Sequence, residues 1–118
     1  MGYMRHHAIV VTSFNDTEIN KAHEKAKYYF GNLVSEIIES SINGYYSFFI
    51  SPDGSKEDWD ESEYGDKQRS LFKRWLISQL YDDTSSPYDW VEVQYGDGDH
   101  GVKVIDTDIN YYKPEKNC

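Results

Sequence analysis

Apolar side chains recur along the chain with two periods, every second residue in some stretches and every three to four residues in others. The period of two predicts strands, and the longer period predicts amphipathic helices. The predicted strands cover residues 7–13, 34–41, 45–51, 89–95 and 102–105. Because both faces of the first strand are mostly apolar, we expect it to lie in the centre of a sheet.

The first helix is predicted over residues 16–30, with an apolar stripe that comprises Ile19, Ala22, Ala26, Tyr29 and Phe30. Asn15 followed by Glu18 has the form of a capping box, in which the side chain before the helix accepts a backbone hydrogen bond from its first turn. Gly31 follows the last periodic residue, and glycine adopts without steric cost the positive φ that often ends a helix. This helix therefore has both a start and a stop signal.

The second helix is predicted to begin at a cap formed by Ser62 or Asp66 and to reach Leu80. Its apolar stripe comprises Leu71, Phe72, Trp75, Leu76 and Leu80. Basic side chains are expected on the opposite, solvent-facing side, namely Lys67, Arg69, Lys73 and Arg74. An apolar stripe of this width indicates a helix that packs on the core.

Asn43-Gly44 predicts a two-residue hairpin turn between the second and third strands, since these residues tolerate positive φ. The element order β-α-β-β-α-β-β predicts a single α+β domain over residues 1–106, with a flexible tail or arm at 107–118. The first six elements match the ferredoxin-like split β-α-β pattern, in which both helices cover one face of the sheet. We expect the open face to present Trp90, Glu92 and Gln94.

The charge of the chain limits the kinds of partner that it can bind. The net charge is −9, and residues 53–66 alone contribute −6, with seven acidic residues and one lysine. Such a chain repels nucleic acid, because phosphate binding depends on Lys and Arg. The acidic residues Asp58, Asp60, Glu61 and Glu63 suit instead a basic protein partner that normally binds nucleic acid; alternatively, the charge serves only to keep the protein soluble.

The only cysteine, Cys118, excludes an internal disulfide and favours a reducing compartment. The apolar run near the N-terminus covers only residues 8–11, which is too short for a signal peptide or a membrane span. We therefore expect a cytoplasmic protein that does not bind membranes.

Catalytic and metal sites lack support in the sequence. Residues 96–101 (GDGDHG) have the glycine spacing of a nucleotide-binding motif, but they are predicted to form a turn before a strand, whereas the motif has to open a helix. No nucleophile elbow occurs, and no histidine pair has the spacing of a zinc helix. Asp58, Asp60 and Ser62 resemble the start of an EF-hand loop, but Glu63 stands where glycine is needed and Arg69 where the closing glutamate is needed. A looser metal site formed by Asp97, Asp99 and His100 remains an alternative. We predict a protein without enzymatic activity, cofactor or metal.

The segment most typical of a binding site is residues 51–66, here called the acidic segment. It contains Trp59 within a run of six acidic residues between Glu57 and Asp66, where burial alone would not place a tryptophan. Aromatic rings that stack on a base, together with cations for a phosphate, define a small nucleotide site. The candidate ligand-binding residues are Lys56, Trp59, Arg69, Trp90, Arg5 and Tyr45. Alternatively, Trp59 covers an edge of the core and the tyrosines fill a ring-rich interior.

Several strings resemble a family of small tailed-phage accessory proteins. They are residues 5–13 (RHHAIVVTS), 43–45 (NGY) with 47–48 (SF), 51–56 (SPDGSK) with Trp59-Asp60 and Ser62, and 90–93 (WVEV) with 95–96 (YG). No activity is associated with that family. In element order and size the chain is also similar to phage Thoeris anti-defence proteins, which sequester a cyclic ADP-ribose signal.

The sequence thus supports two hypotheses. In the first, the protein is a counter-defence factor that acts in the host cytoplasm, is a homo-oligomer, and sequesters a small nucleotide-type immune signal through the acidic segment and Trp90. In the second, it is an acidic nucleic-acid mimic that inhibits a host nuclease or a defence or regulatory protein.

Overall fold

The computed structural model describes residues 5–56, 58–82, 85–98 and 101–111. The chain forms one α+β domain with two helices and a five-stranded antiparallel sheet. The elements are β1 His6–Ser13, α1 Asp16–Phe30, β2 Ile38–Glu39, β3 Tyr46–Ile50, α2 Asp60–Ser78, β4 Asp89–Asp97 and β5 Gly101–Thr107, with short 3-10 helices at Gly31–Leu33 and Asp108–Tyr111.

The strand order is β2-β3-β1-β4-β5, so that β1 lies in the centre of the sheet as predicted. In the antiparallel pairs Ile9 lies opposite Ile50 and Val11 opposite Phe48. These four side chains are buried in one cluster with residues of both helices, among them Ile19 of α1. The core therefore lies between the two helices and one face of the sheet.

Helix α1 has the predicted bounds and caps. The Asn15 side chain accepts a hydrogen bond from the Glu18 backbone N–H at 3.1 Å, which satisfies a donor that has no partner within the helix. Gly31 follows with a φ of 61°. Local sequence signals were sufficient here because every group involved lies within one turn of a helix end.

The hairpin differs from the prediction in length. Asn43 and Gly44 both have a φ of 67°, as expected, but the Ser40 N–H donates to the Tyr45 carbonyl at 2.7 Å, so that four residues form the loop. The second strand is also shorter than predicted. The Ser35 side chain accepts from the Phe49 N–H at 2.9 Å and replaces a regular backbone pairing at that point.

Helix α2 begins earlier than predicted, at Asp60, and not at a cap formed by Ser62 or Asp66. Asp60, Glu61 and Glu63 fall in its first turn, where carboxylates are favourable because they face the positive end of the helix dipole. It ends at Ser78, two residues before the predicted end at Leu80. The end of the acidic segment is thus helical.

The expectation for the open sheet face is wrong. Trp90, Glu92 and Gln94 are only 3–5% exposed and lie on the face that the helices cover, since Trp90 is opposite Val11 and Glu92 opposite Ile9. The alternation along β4 was correct, but its assignment to the two faces was inverted. The open face presents Val91 and Val93 from β4, with Val10 and Phe49 from the neighbouring strands.

The assignment of Arg69 and Lys73 to the solvent-facing side of α2 is also wrong. Both side chains turn inward and contact Glu92, and the Arg69 side chain is only 10% exposed. The buried positions along the helix are Ser62, Gly65, Arg69, Phe72 and Leu76. Their spacing is that of an amphipathic stripe, although three of the five are not apolar.

Part of the predicted tail packs against the domain. The 3-10 helix Asp108–Tyr111 places the Tyr111 ring on Trp90, with ring centres 6.0 Å apart. The Tyr111 hydroxyl donates to Asp106 at 2.8 Å. Residues 112–118 lie outside the described part of the chain.

Candidate functional site

A cavity of about 590 Å³ opens where the end of α1, the start of α2 and the end of β3 meet. This volume is within the usual range for sites that bind small molecules. The lining residues are His7, Ile9, Tyr29, Phe30, Leu33, Ile50, Ser51, Asp53, Gly54, Ser55, Trp59, Asp60, Glu61, Tyr64, Gly65, Gln68 and Arg69. The acidic segment therefore forms much of its wall.

Four aromatic rings line the cavity. Tyr29 and Phe30 end α1 and pack edge-on against the buried Phe72, with centre distances of 6.4 and 5.8 Å. The Gln68 side chain donates to the Tyr29 carbonyl at 3.1 Å and links the two helices at this point. Trp59 and Tyr64 complete the aromatic wall and are more exposed than the other two. A rigid inner pair of rings thus faces two accessible rings.

The acidic segment is held by its own hydrogen bonds. Asp53 accepts from the Ser55 N–H and hydroxyl at 2.9 and 2.7 Å, which forms a local turn. The Trp59 N–H donates to the Lys56 carbonyl at 3.2 Å, and the Trp59 carbonyl accepts from Ser62 at 3.0 Å as α2 begins. These contacts place the indole, which is 45% exposed, at the mouth of the cavity.

At Gly65, α2 lies close to Asp53 in the part of the acidic segment that precedes the helix. A Cβ atom there would lie 3.1 Å from Asp53 Oδ2 and 3.2 Å from the Arg69 guanidinium. Such distances are tighter than ordinary van der Waals contact, so a side chain at this position would have to displace one of the two groups. Glycine therefore leaves space for the cavity and its polar lining.

Behind the cavity, Arg69 belongs to a buried ionic cluster centred on Glu92. Glu92 Oε1 lies 2.5 Å from Lys73 Nζ, and its Oε2 lies 3.5 Å from Arg69 Nε and 3.6 Å from His7 Nδ1. Lys73 also lies 3.4 Å from Asp106, and Arg69 pairs with Asp66. The cluster fixes the guanidinium at the cavity wall.

The charges of this cluster determine the protonation of Glu92. Burial alone would raise its pKa, because desolvation disfavours the charged form. The neighbouring His7 imidazole, the hydrogen bond from Lys73 and the charges of Lys73 and Arg69 outweigh burial and hold the pKa of Glu92 below its ordinary value. The carboxylate is thus ionised in the folded protein at neutral pH.

Two of the six predicted ligand-binding residues, Trp59 and Arg69, line the cavity. Lys56 is exposed in the acidic segment but does not line the cavity. Arg5 directly precedes β1. Tyr45 lies at the opposite end of β3 from Ile50, about 16 Å away along the strand. Trp90 is buried under the helices, against Tyr111.

The four predicted partner-binding acids, Asp58, Asp60, Glu61 and Glu63, are all exposed at or just before the first turn of α2. Asp60 and Glu61 also line the cavity. One acidic patch therefore overlaps the rim of the aromatic cavity.

Sequence reasoning missed several lining residues, notably Tyr29, Phe30, Tyr64 and His7. Tyr29 and Phe30 were assigned to the apolar stripe of the first helix, a role that they also have. The available signal was a pair of adjacent rings directly before the stop at Gly31, since neighbouring residues of a helix point in different directions and both rings cannot lie in the centre of one stripe.

Within the described residues, no group of three or more His, Cys, Asp or Glu side chains is arranged to hold a metal ion. Asp99 and His100 of the looser metal site considered above lie outside the described residues. No described helix is both long enough and apolar enough to cross a membrane.

Fold and site together define a small α+β domain with an aromatic-walled cavity backed by a buried ionic cluster. Comparisons with protein-family models, curated proteins and solved structures give no match.

Proposed function

We propose that this protein is a non-enzymatic binding protein that captures a small nucleotide-type ligand in the cavity. The observation that carries the proposal is the position of Trp59, whose ring stands at the mouth of a cavity with three further aromatic rings. Rings in this arrangement suit a flat base, which stacks on aromatic faces. Gln68, Ser51 and Ser55 add polar groups along the lining.

We also propose a ferredoxin-like topology with β5 added at the edge. The order β2-β3-β1-β4 and the two helical crossovers support it. The resemblance to small tailed-phage proteins supports a counter-defence role in the host cytoplasm, with the ligand an immune signal that the protein sequesters. We expect the protein to act as a homo-oligomer.

Trp59→Ala is expected to abolish ligand-induced stabilisation. The wild type is screened by thermal unfolding against a panel of cyclic nucleotides and ADP-ribose derivatives. A ligand present at 100 times its Kd stabilises the folded state by about 2.7 kcal/mol. For a domain of this size, that raises Tm by about 10 °C. The variant loses the shift because the ring that covers the bound base is missing.

Tyr45→Ala is the matched control, because it removes an exposed ring that lies outside the cavity. It is expected to retain the full shift. The proposal is contradicted if no compound of the panel shifts the wild type, or if both variants respond alike.

A second candidate is an acidic inhibitor that occupies the nucleic-acid-binding groove of a host protein. The observation in its favour is the exposure of Asp58, Asp60, Glu61 and Glu63 in one short stretch. Carboxylates in such a patch complement a basic groove electrostatically.

Charge reversal of Asp58, Asp60 and Glu61 to lysine is expected to abolish recovery of a basic nucleic-acid-binding protein from host lysate. Glu24→Lys, on the exposed side of α1, is the control and is expected to leave recovery unchanged. Salt in the range of 0.1 to 0.5 M is expected to weaken the complex, because it screens exposed charges. A complex that resists salt would contradict this candidate.

A further inference from the structure

The charges around the cavity are unequal. Among the described residues, three carboxylates line it, those of Asp53, Asp60 and Glu61, against one guanidinium, that of Arg69. Arg69 is already paired with Asp66 and lies 3.5 Å from Glu92. Its positive charge is therefore largely neutralised before any ligand arrives. Acidic side chains therefore predominate among the charged groups of the described lining.

The aromatic rings that line the cavity also favour a positively charged ligand. The face of an aromatic ring attracts a cation, and tryptophan does so most strongly. Trp59 and Tyr64 are the accessible rings, and Asp60 and Glu61 lie beside them on the first turn of α2. A ligand with several phosphates would have to approach three carboxylates with little free positive charge to receive it.

The cavity, with its volume and its four rings, defines the site, and the carboxylates determine which ligand charge it accepts. Building on the proposed function, we infer that the ligand presents a positively charged aromatic ring, such as an N-alkylated nucleobase or a pyridinium nucleoside. The ring stacks on Trp59, and its charge faces Asp60 and Glu61. Nucleoside polyphosphates are poor ligands.

The test compares 1-methyladenosine, which is a cation at pH 7, with adenosine, which has nearly the same shape and is neutral. AMP and ATP extend the series to anions. Isothermal titration calorimetry with the full chain at low ionic strength is expected to show 1-methyladenosine binding about tenfold more tightly than adenosine, with ATP weakest. Raising the salt concentration is expected to reduce this ratio.

The double variant Asp60→Asn, Glu61→Gln is expected to bring the ratio of the two affinities close to one, because it weakens the binding of 1-methyladenosine more than that of adenosine. Glu24→Gln, outside the cavity, is expected to keep the wild-type ratio. Thermal unfolding of each variant verifies that it is folded.

The outcomes separate the two proposals. A preference for the cation that disappears in the double variant supports the inference. The inference is overturned if both nucleosides bind equally, or if AMP or ATP binds more tightly than 1-methyladenosine. If this binding is lost in Trp59→Ala, the proposed function is retained. No binding of any of the four compounds overturns the inference, whereas the proposed function is overturned only if the panel of cyclic nucleotides and ADP-ribose derivatives also fails to bind.

Discussion

Glu92→Gln is expected to lower the free energy of unfolding by about 3–5 kcal/mol, the usual cost of removing one partner from a buried ion pair. Glutamine has nearly the same shape as glutamate, so the substitution removes the charge and little else. Glu92 is 3% exposed and lies against Lys73 and Arg69, whose own side chains are largely buried. In the variant these two cations lose the carboxylate that compensates them.

Urea denaturation at pH 7 measures the loss, and thermal unfolding is expected to show a Tm lower by roughly 12–20 °C. Glu24→Gln is the control on an exposed helix surface. Substitutions at such positions usually change the free energy of unfolding by no more than about 0.5 kcal/mol. If Glu92→Gln is as stable as Glu24→Gln, the cluster does not stabilise the fold.

The same cluster predicts sensitivity to acid. The pKa of Glu92 is lower in the folded protein than in the unfolded chain, because the neighbouring His7 imidazole, the hydrogen bond from Lys73 and the charges of Lys73 and Arg69 outweigh burial. Its stabilisation is therefore complete above the unfolded pKa, about 4.3, and is lost as the pH falls through the lower folded value. The stability gap between wild type and Glu92→Gln is expected to narrow over this acidic range.

Gly96→Ala is expected to destabilise the protein by about 2–3 kcal/mol through steric strain. Gly96 has a φ of 96°, a conformation that residues with a side chain rarely adopt, and it lies where the pairing of β4 with β5 is irregular. An added Cβ would also lie 2.5 Å from Cδ2 of His6, whose ring packs against Tyr95 at 5.3 Å. Either the backbone or the His6 ring has to move.

Gly98→Ala provides the comparison within the same hairpin. Gly98 lacks a positive φ, and an added Cβ there would meet no atom of the described residues within 4 Å. The free energy of unfolding of Gly98→Ala, measured by urea denaturation, is expected to stay within about 0.5 kcal/mol of the wild-type value. Equal stability of the two variants would show that the conformation of Gly96 carries no cost for a side chain.

Much of the fold was predictable from local patterns. The bounds and N-cap of α1, the central position of β1 and the positive φ of Asn43 and Gly44 all depend on residues close together in the chain. The start of α2 was not predicted, because the density of acidic residues resembles a loop. In the structure those acids lie where the helix dipole favours them.

The candidate site was predictable in part. The acidic segment with Trp59 does border a cavity, and Arg69 contributes to the same wall. Trp90 was expected in the site and instead packs under the helices with Tyr111. Tyr29 and Phe30 were assigned only to the core. Whether a ring at the edge of a stripe also faces a cavity depends on the elements that pack beside it.

By itself, the sequence determined the elements, their order and the residues that share a strand face, since these follow from backbone geometry and from neighbours within a few positions. Only the tertiary structure decided which face of β4 the helices cover and that Arg69 and Lys73 turn inward. The reason is that a buried cation is stable only beside a compensating charge, and Glu92, which supplies it, lies on a strand far along the chain.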